Sequence, residues 1–215
     1  MLEIIGNYYE DAGENYRHKR LRGHIYEALV PYSGEEKPQR LKVVSAEPGA
    51  ESWFEVEEVS LDDIRHASVV PELDTKEREA RIVRHAKCRR VVLLSSPPDQ
   101  WSSGGAGSEP VYLVAPIYGF KSRDEEKHRS LVKAYGYNTL FWIPGDENYA
   151  MHEGCIRLDR VQPVHSSLLE GKQVKLTEYA LWALTAWYAA YVTGKITERI
   201  AEYRTEALRQ IREKG

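Results

Sequence analysis

The sequence predicts a mainly β chain with α elements: a β-barrel closed by a long C-terminal helical segment. Three observations predict it. Two apolar stretches, Val91 to Ser96 and Val111 to Gly119, flank a Pro-, Ser- and Gly-rich segment from Pro97 to Pro110. They read as buried strands joined by a flexible loop. Shorter runs of β-forming residues, bounded by turn residues, lie before and after them. From Leu176 onward, apolar residues recur at helical spacing.

The elements follow in order. Residues 1–20 form an N-terminal arm, and Met1 to Asn15 has so little periodicity that a frayed or loosely docked segment is expected. His24 to Pro31 is the first barrel strand, stopped by Pro31 and the turn Ser33-Gly34. Arg40 to Ser45 and Trp53 to Val59 read as two strands joined through Pro48-Gly49. Leu61 to Glu72 is ambiguous; Ser60-x-x-Asp63 offers a capping-box-like start for a short helix, although the box prefers Glu or Gln at its end. In the charged stretch Asp74 to His85, Asp74 or Thr75 is placed to cap another short, solvated helix. The two central strands come next. Lys121 to Lys133 reads as a short helix or a lid-like excursion, Tyr137 to Ile143 as a strand ended by Pro144-Gly145, and Gly154 to Val164 as one half-buried strand. Ser166 to Lys172 is a connector. The C-terminal helical segment, 176–214, is apolar nearly all round in its first half, which predicts burial on several sides. Gly194 breaks it, and Ile196, Ile200, Tyr203, Ala207 and Ile211 then form a narrower stripe.

Composition narrows the function classes. The 215 residues carry a net charge of −3 with 29% charged residues, and the mean hydropathy is −0.55. No apolar run approaches the roughly 18 residues of a membrane span. A soluble, cytoplasmic protein without a secretion signal is therefore expected. Cys88 and Cys155 are far apart and can pair or stay reduced; reduced core cysteines are the expectation. The slight acidity argues against non-specific coating of DNA, yet the basic residues cluster: Arg17 to Arg22, Arg81 to Arg90, then Arg157 and Arg160.

The motif content excludes several chemistries. There is no GxGxxG, no Walker-type loop, no HExxH spacing and no GxSxG elbow. The glycine-rich segment 103–107 lacks the following helix of a phosphate cradle. No metal and no cofactor is implied. What remains is arginine and hydroxyl chemistry in a β context. An arginine fork grips phosphate bidentately and stays charged. A hydroxyl can donate to the same oxygens. Splayed bases can stack on Trp101, Tyr112 or Tyr118.

Four segments in order carry a resemblance: Arg22-Gly23-His24-Ile25-Tyr26, Arg89-Arg90-Val91-Val92-Leu93-Leu94-Ser95, Val114-Ala115-Pro116-Ile117-Tyr118 and Leu158-Asp159-Arg160-Val161-Gln162. With a helix closing the chain, they resemble the MazF/PemK-like toxin family. The resemblance implies an SH3-like barrel, usually a homodimer, that cleaves single-stranded RNA without a metal and is blocked by an antitoxin peptide. It implies one domain over 1–215, with 31–87 as an enlarged insertion. By position, Arg89 is the catalytic arginine that binds phosphate, with Arg90 as the alternative should the strand register shift by one. Tyr118 falls where the family has a catalytic Thr or Ser. His24 replaces the family's Asp and is the candidate proton carrier. Arg22, Arg90, Trp101 and Arg160 are candidate RNA contacts. Arg90 stands where the family has Pro, and Gln162 where it has Arg. Two other function classes fit the same pattern: a non-catalytic barrel that binds nucleic acid or protein, and a regulatory or structural protein dimerising through Leu176 to Tyr191.

Overall fold

The computed structural model describes residues 6–14, 16–17, 20–31, 39–44, 53–84, 86–95, 111–122 and 125–214. The strands are β1 (Tyr9–Glu10), β2 (His24–Pro31), β3 (Gln39–Val44), β4 (Trp53–Glu58), β5 (Ile82–Val83), β6 (Ala86–Leu93), β7 (Val111–Gly119), β8 (Leu140–Ile143), β9 (Gly154–Arg157), β10 (Gln162–His165) and β11 (Leu169–Leu176). The helices are α1 (Leu61–Arg65), α2 (Glu126–Lys133), α3 (Glu178–Thr193) and α4 (Glu198–Lys214). The chain divides into two compact units. One joins Met1–Leu29 to Cys88–Gly215; the other is Val30–Lys87.

The first unit is built on a curled antiparallel sheet. Its strand order is β1-β11-β2-β6-β7-β9-β8, with β10 also on β7. β9 and β10 pair with successive stretches of β7, Ile117–Gly119 and Val111–Val114. A 3-10 turn, Leu158–Arg160, separates them. The single strand expected over Gly154 to Val164 is thus interrupted. The cause is Leu158, which turns into the core while its N–H donates to the Thr139 carbonyl at 2.8 Å. A second 3-10 turn, Ser166–Leu168, leads from β10 into β11. The segment expected as a connector there is largely strand, because its backbone pairs with β2 from Leu169↔Ala28 to Lys175↔His24.

Strand register separates two buried faces. Val92, Ala115 and Ile117 join the cluster that the helices cover, with Leu184 and Trp187 of α3. Their alternates, Val91, Leu93, Tyr112 and Val114, are also buried, on the opposite face. This explains the absence of polar alternates over Val91–Leu93 and Val114–Ile117, where both sides are covered, whereas Val111 and Leu113 at the start of β7 are exposed. The N-terminal arm corrects the expectation of fraying. Tyr8 and Tyr9 are each 1% exposed. Tyr9 donates its hydroxyl to the Pro144 carbonyl at 2.8 Å, and Tyr8 meets the Trp142 ring edge-on at 5.6 Å.

Thr177 caps α3, accepting from the Ala180 N–H at 3.3 Å. Gly194, at φ 69°, ends it in the left-handed conformation that glycine tolerates. Burial on several sides does not hold for α3: Ala180, Ala183, Leu184, Trp187 and Ala190 are buried, while Tyr179 and Trp182 are half exposed. Past Gly194, α4 packs Ile200 against the core, and Arg204 donates to the Gly136 carbonyl. Among the described residues no helix is long and apolar enough to cross a membrane. Cys88 and Cys155 are free thiols, but only Cys155 is buried; Cys88 is exposed, against the expectation of two core cysteines.

The second unit contains a three-stranded sheet ordered β4-β3-β5. Arg40 faces Glu57 across it, and the two form an ion pair at 2.5 Å. Ser60 and Asp63 make the expected capping box at α1. Among the described residues of 74–84 no helix follows Asp74. A 3-10 turn, Pro71–Leu73, ends there with Asp74 at φ 49°. The buried Thr75 hydroxyl bonds back to Val70 instead of capping a new helix.

Candidate functional site

Three arginines converge on one ring. β6 and β7 pair as Val91↔Pro116 and Leu93↔Val114. Continuing that register sets Arg89 opposite Tyr118, with both side chains on the same face. The Arg89 guanidinium lies over the Tyr118 ring, 4.2 Å from its centroid. From the other side of β7, the Arg157 and Arg160 guanidiniums lie 5.8 and 5.9 Å from the same centroid. All three are within cation–π range. Arg157 ends β9 and Arg160 ends the following 3-10 turn. The interruption in this strand is thus what places the pair.

Gly154 makes the close pairing of β9 with β7 at Tyr118 possible. A Cβ there would meet the Tyr118 carbonyl oxygen at 2.1 Å, so only glycine lets β9 approach β7 this closely. Asp159 completes the cluster. Arg157 donates from Nε to Oδ1 at 2.8 Å and from Nη2 to Oδ2 at 2.5 Å. This fork-to-fork pair is the strong form of the interaction. Partial burial works against the Asp159 charge, but the Arg157 hydrogen bonds and charge outweigh it and hold the carboxyl below its usual range. The same hydrogen bonds raise Arg157.

The expected site residues separate by strand parity and position. Arg89, Tyr118 and Arg160 come together. Arg90 points to the opposite face with Val92. It donates to the Ala150 carbonyl and contacts the Met151 sulfur at 3.1 Å. There it lines a cavity of about 370 Å³ with Asp11, Asn148 and Lys172. Arg22 is exposed and donates to the Thr185 hydroxyl of α3. His24 starts β2 opposite Lys175, and the neighbouring Gly23 N–H donates to Leu93 at 2.8 Å. That is four residues along β6 from Arg89, roughly 13 Å at strand rise. His24 is 3% exposed, and among the described residues its Nδ1 has no hydrogen-bond partner. Burial, helped by Lys175, lowers its pKa. Tyr112 is buried, so its ring offers no base a platform. Trp101, the glycine-rich segment 103–107 and the turns at Ser33-Gly34 and Pro48-Gly49 lie outside the described residues.

Arg157 and Asp159 are the members that sequence reasoning did not assign. Arg157 was visible as part of a basic pair with Arg160 and on the polar alternation of its strand. Its pairing with Asp159 depends on the 3-10 turn, which carries no distinctive sequence signal. Chemically, the cluster gathers planar cationic donors around an aromatic ring whose hydroxyl can also donate, groups of the kind that can bind an anion. Among the described residues no group of three or more His, Cys, Asp or Glu side chains is placed to hold a metal ion. No family model matches the chain, and no curated protein matches it.

Proposed function

We propose that the chain is a MazF/PemK-like toxin protein. In this reading it is a cytoplasmic, SH3-like barrel that dimerises and answers to an antitoxin peptide. It binds single-stranded RNA at the Arg89–Tyr118 face and cleaves it there without a metal. The observation that carries the reading is the convergence of Arg89, Arg157 and Arg160 on Tyr118. The strand path β11-β2-β6-β7-β10, with a 3-10 turn between β10 and β11, supports the barrel assignment. In the proposed mechanism the 2′-hydroxyl attacks the scissile phosphorus and gives its proton to solvent. The P–O5′ bond breaks and the 5′-oxygen takes a proton from solvent, leaving a 2′,3′-cyclic phosphate and a 5′-hydroxyl end. Arg89 holds the phosphate and offsets the charge that builds on it. Tyr118 donates to a phosphate oxygen. His24, buried on β2, is not assigned the proton transfer.

A binding-only module is the second reading, favoured by one observation. Asp159, the carboxylate bonded within the cluster, is committed to Arg157 and lowered in pKa, which suits a tether better than a general base. One experiment separates the readings. Purified protein is incubated with single-stranded RNA in chelator beside Arg89→Ala and Tyr118→Phe. The toxin reading expects cleavage by the wild type, loss of binding by roughly tenfold or more in Arg89→Ala, and retained binding with lost cleavage in Tyr118→Phe. Wild-type binding without cleavage establishes the module instead. No binding at all overturns both.

A further inference from the structure

We infer that Asp159 is a positioning residue that presents Arg157 as a second phosphate clamp opposite Arg89. This rests on the RNA-binding reading above. An exposed arginine samples many rotamers, and ordering one costs conformational entropy on binding. Here that cost is met before RNA arrives. Asp159 takes the Nε and Nη2 edge of the guanidinium in a two-point contact. A planar fork held by one edge is fixed in orientation as well as position. Neither of these bonds uses Nη1, and in this reading that edge engages the ligand. Because Arg89 reaches the same ring from β6 on the other side of β7, the pair brackets one site on the strand. The ligand class that suits two such forks is a backbone phosphodiester, gripped without reference to base identity.

Asp159 is an anion beside a site for a polyanion. If its charge alone mattered, its removal would tighten RNA binding. If it orients Arg157, its removal weakens binding. The test measures anisotropy of a fluorescein-labelled oligouridine with wild type, Asp159→Asn, Arg157→Ala, Arg157→Lys and the Asp159→Asn/Arg157→Ala double variant, over a salt series. Thermal melts of each confirm folding. Asp159→Asn is expected to weaken binding by roughly tenfold with little change in salt slope, since Arg157 keeps its charge. Arg157→Ala lowers the slope by about 0.7, the value of one single-strand phosphate contact. Arg157→Lys keeps the slope but not the affinity, and the double variant matches Arg157→Ala. Tighter or unchanged binding in Asp159→Asn overturns the inference. So does an Asp159→Asn loss that persists in full in the Arg157→Ala background. Either result leaves the RNA-binding reading intact, whereas absence of wild-type binding overturns both.

Discussion

His24 is the residue whose burial has the clearest energetic consequence. Its imidazole is nearly inaccessible, and its pKa is lowered by burial first and Lys175 second. The unfolded chain, with an ordinary histidine pKa of about 6.5, takes up a proton that the folded chain resists. Between that pH and the lower folded value the unfolded state binds more protons, so stability rises with pH. Stability is therefore expected to be intact above about pH 6.5 and to fall as the pH drops through the window below it. Urea midpoints measured from pH 7.5 down to 5 test this. His24→Gln is expected to flatten the slope, whatever it does to the midpoint itself. An equally steep slope in the variant would assign the pH dependence to other groups. The same burial distinguishes His24 from Arg89: sequence motif order linked the two, and the register along β6 separates them.

At the level of elements, β7 and its two neighbours on one edge decide where the site forms. Gly154 permits β9 to approach the Tyr118 carbonyl. Gly154→Ala is expected to destabilise the fold by about 1–3 kcal/mol, the usual cost of overpacking, because the clash is with backbone and no side chain can swing away. The thermal midpoint should fall, and near-ultraviolet circular dichroism should report altered Tyr118 packing. An unchanged midpoint would show that β7 and β9 can separate without cost. These elements also show what the sequence could reveal. β2, β6 and β7 are legible because their runs of β-forming apolar residues signal buried strand, although Leu29, Val111 and Leu113 within them are exposed. β11 is not: Leu169-Glu170-Gly171-Lys172-Gln173-Val174-Lys175-Leu176 mixes charges and small residues, and its register shifts between Gly171 and Lys175. Its strand character comes from pairing with β2, a long-range contact that no local pattern encodes. The docking of the arm that holds Tyr8 and Tyr9 is hidden from local pattern for the same reason. Two aromatic residues dock it, and two residues set no period.

For the whole molecule, the decisive contrast is between net charge and local charge. The chain carries −3 overall, so its distant field does not gather RNA. Affinity must then arise from the few cations that touch phosphate, and three are grouped at Tyr118. Each single-strand contact contributes about 0.7 to the slope of log K against log salt, which gives roughly −2 for three contacts. Raising salt from about 50 to 200 mM should weaken oligouridine binding by about 15- to 20-fold. A chain that used Arg22 and Arg90 as well would show a slope nearer −3.5. Arg22 and Arg90 lie away from the Tyr118 ring, bonded to α3 and to the turn at Ala150, so Arg22→Ala is expected to leave the slope unchanged. A wild-type slope well beyond −3, reduced by Arg22→Ala, would show that RNA extends past the Tyr118 face and would enlarge the site from a clamp to a groove.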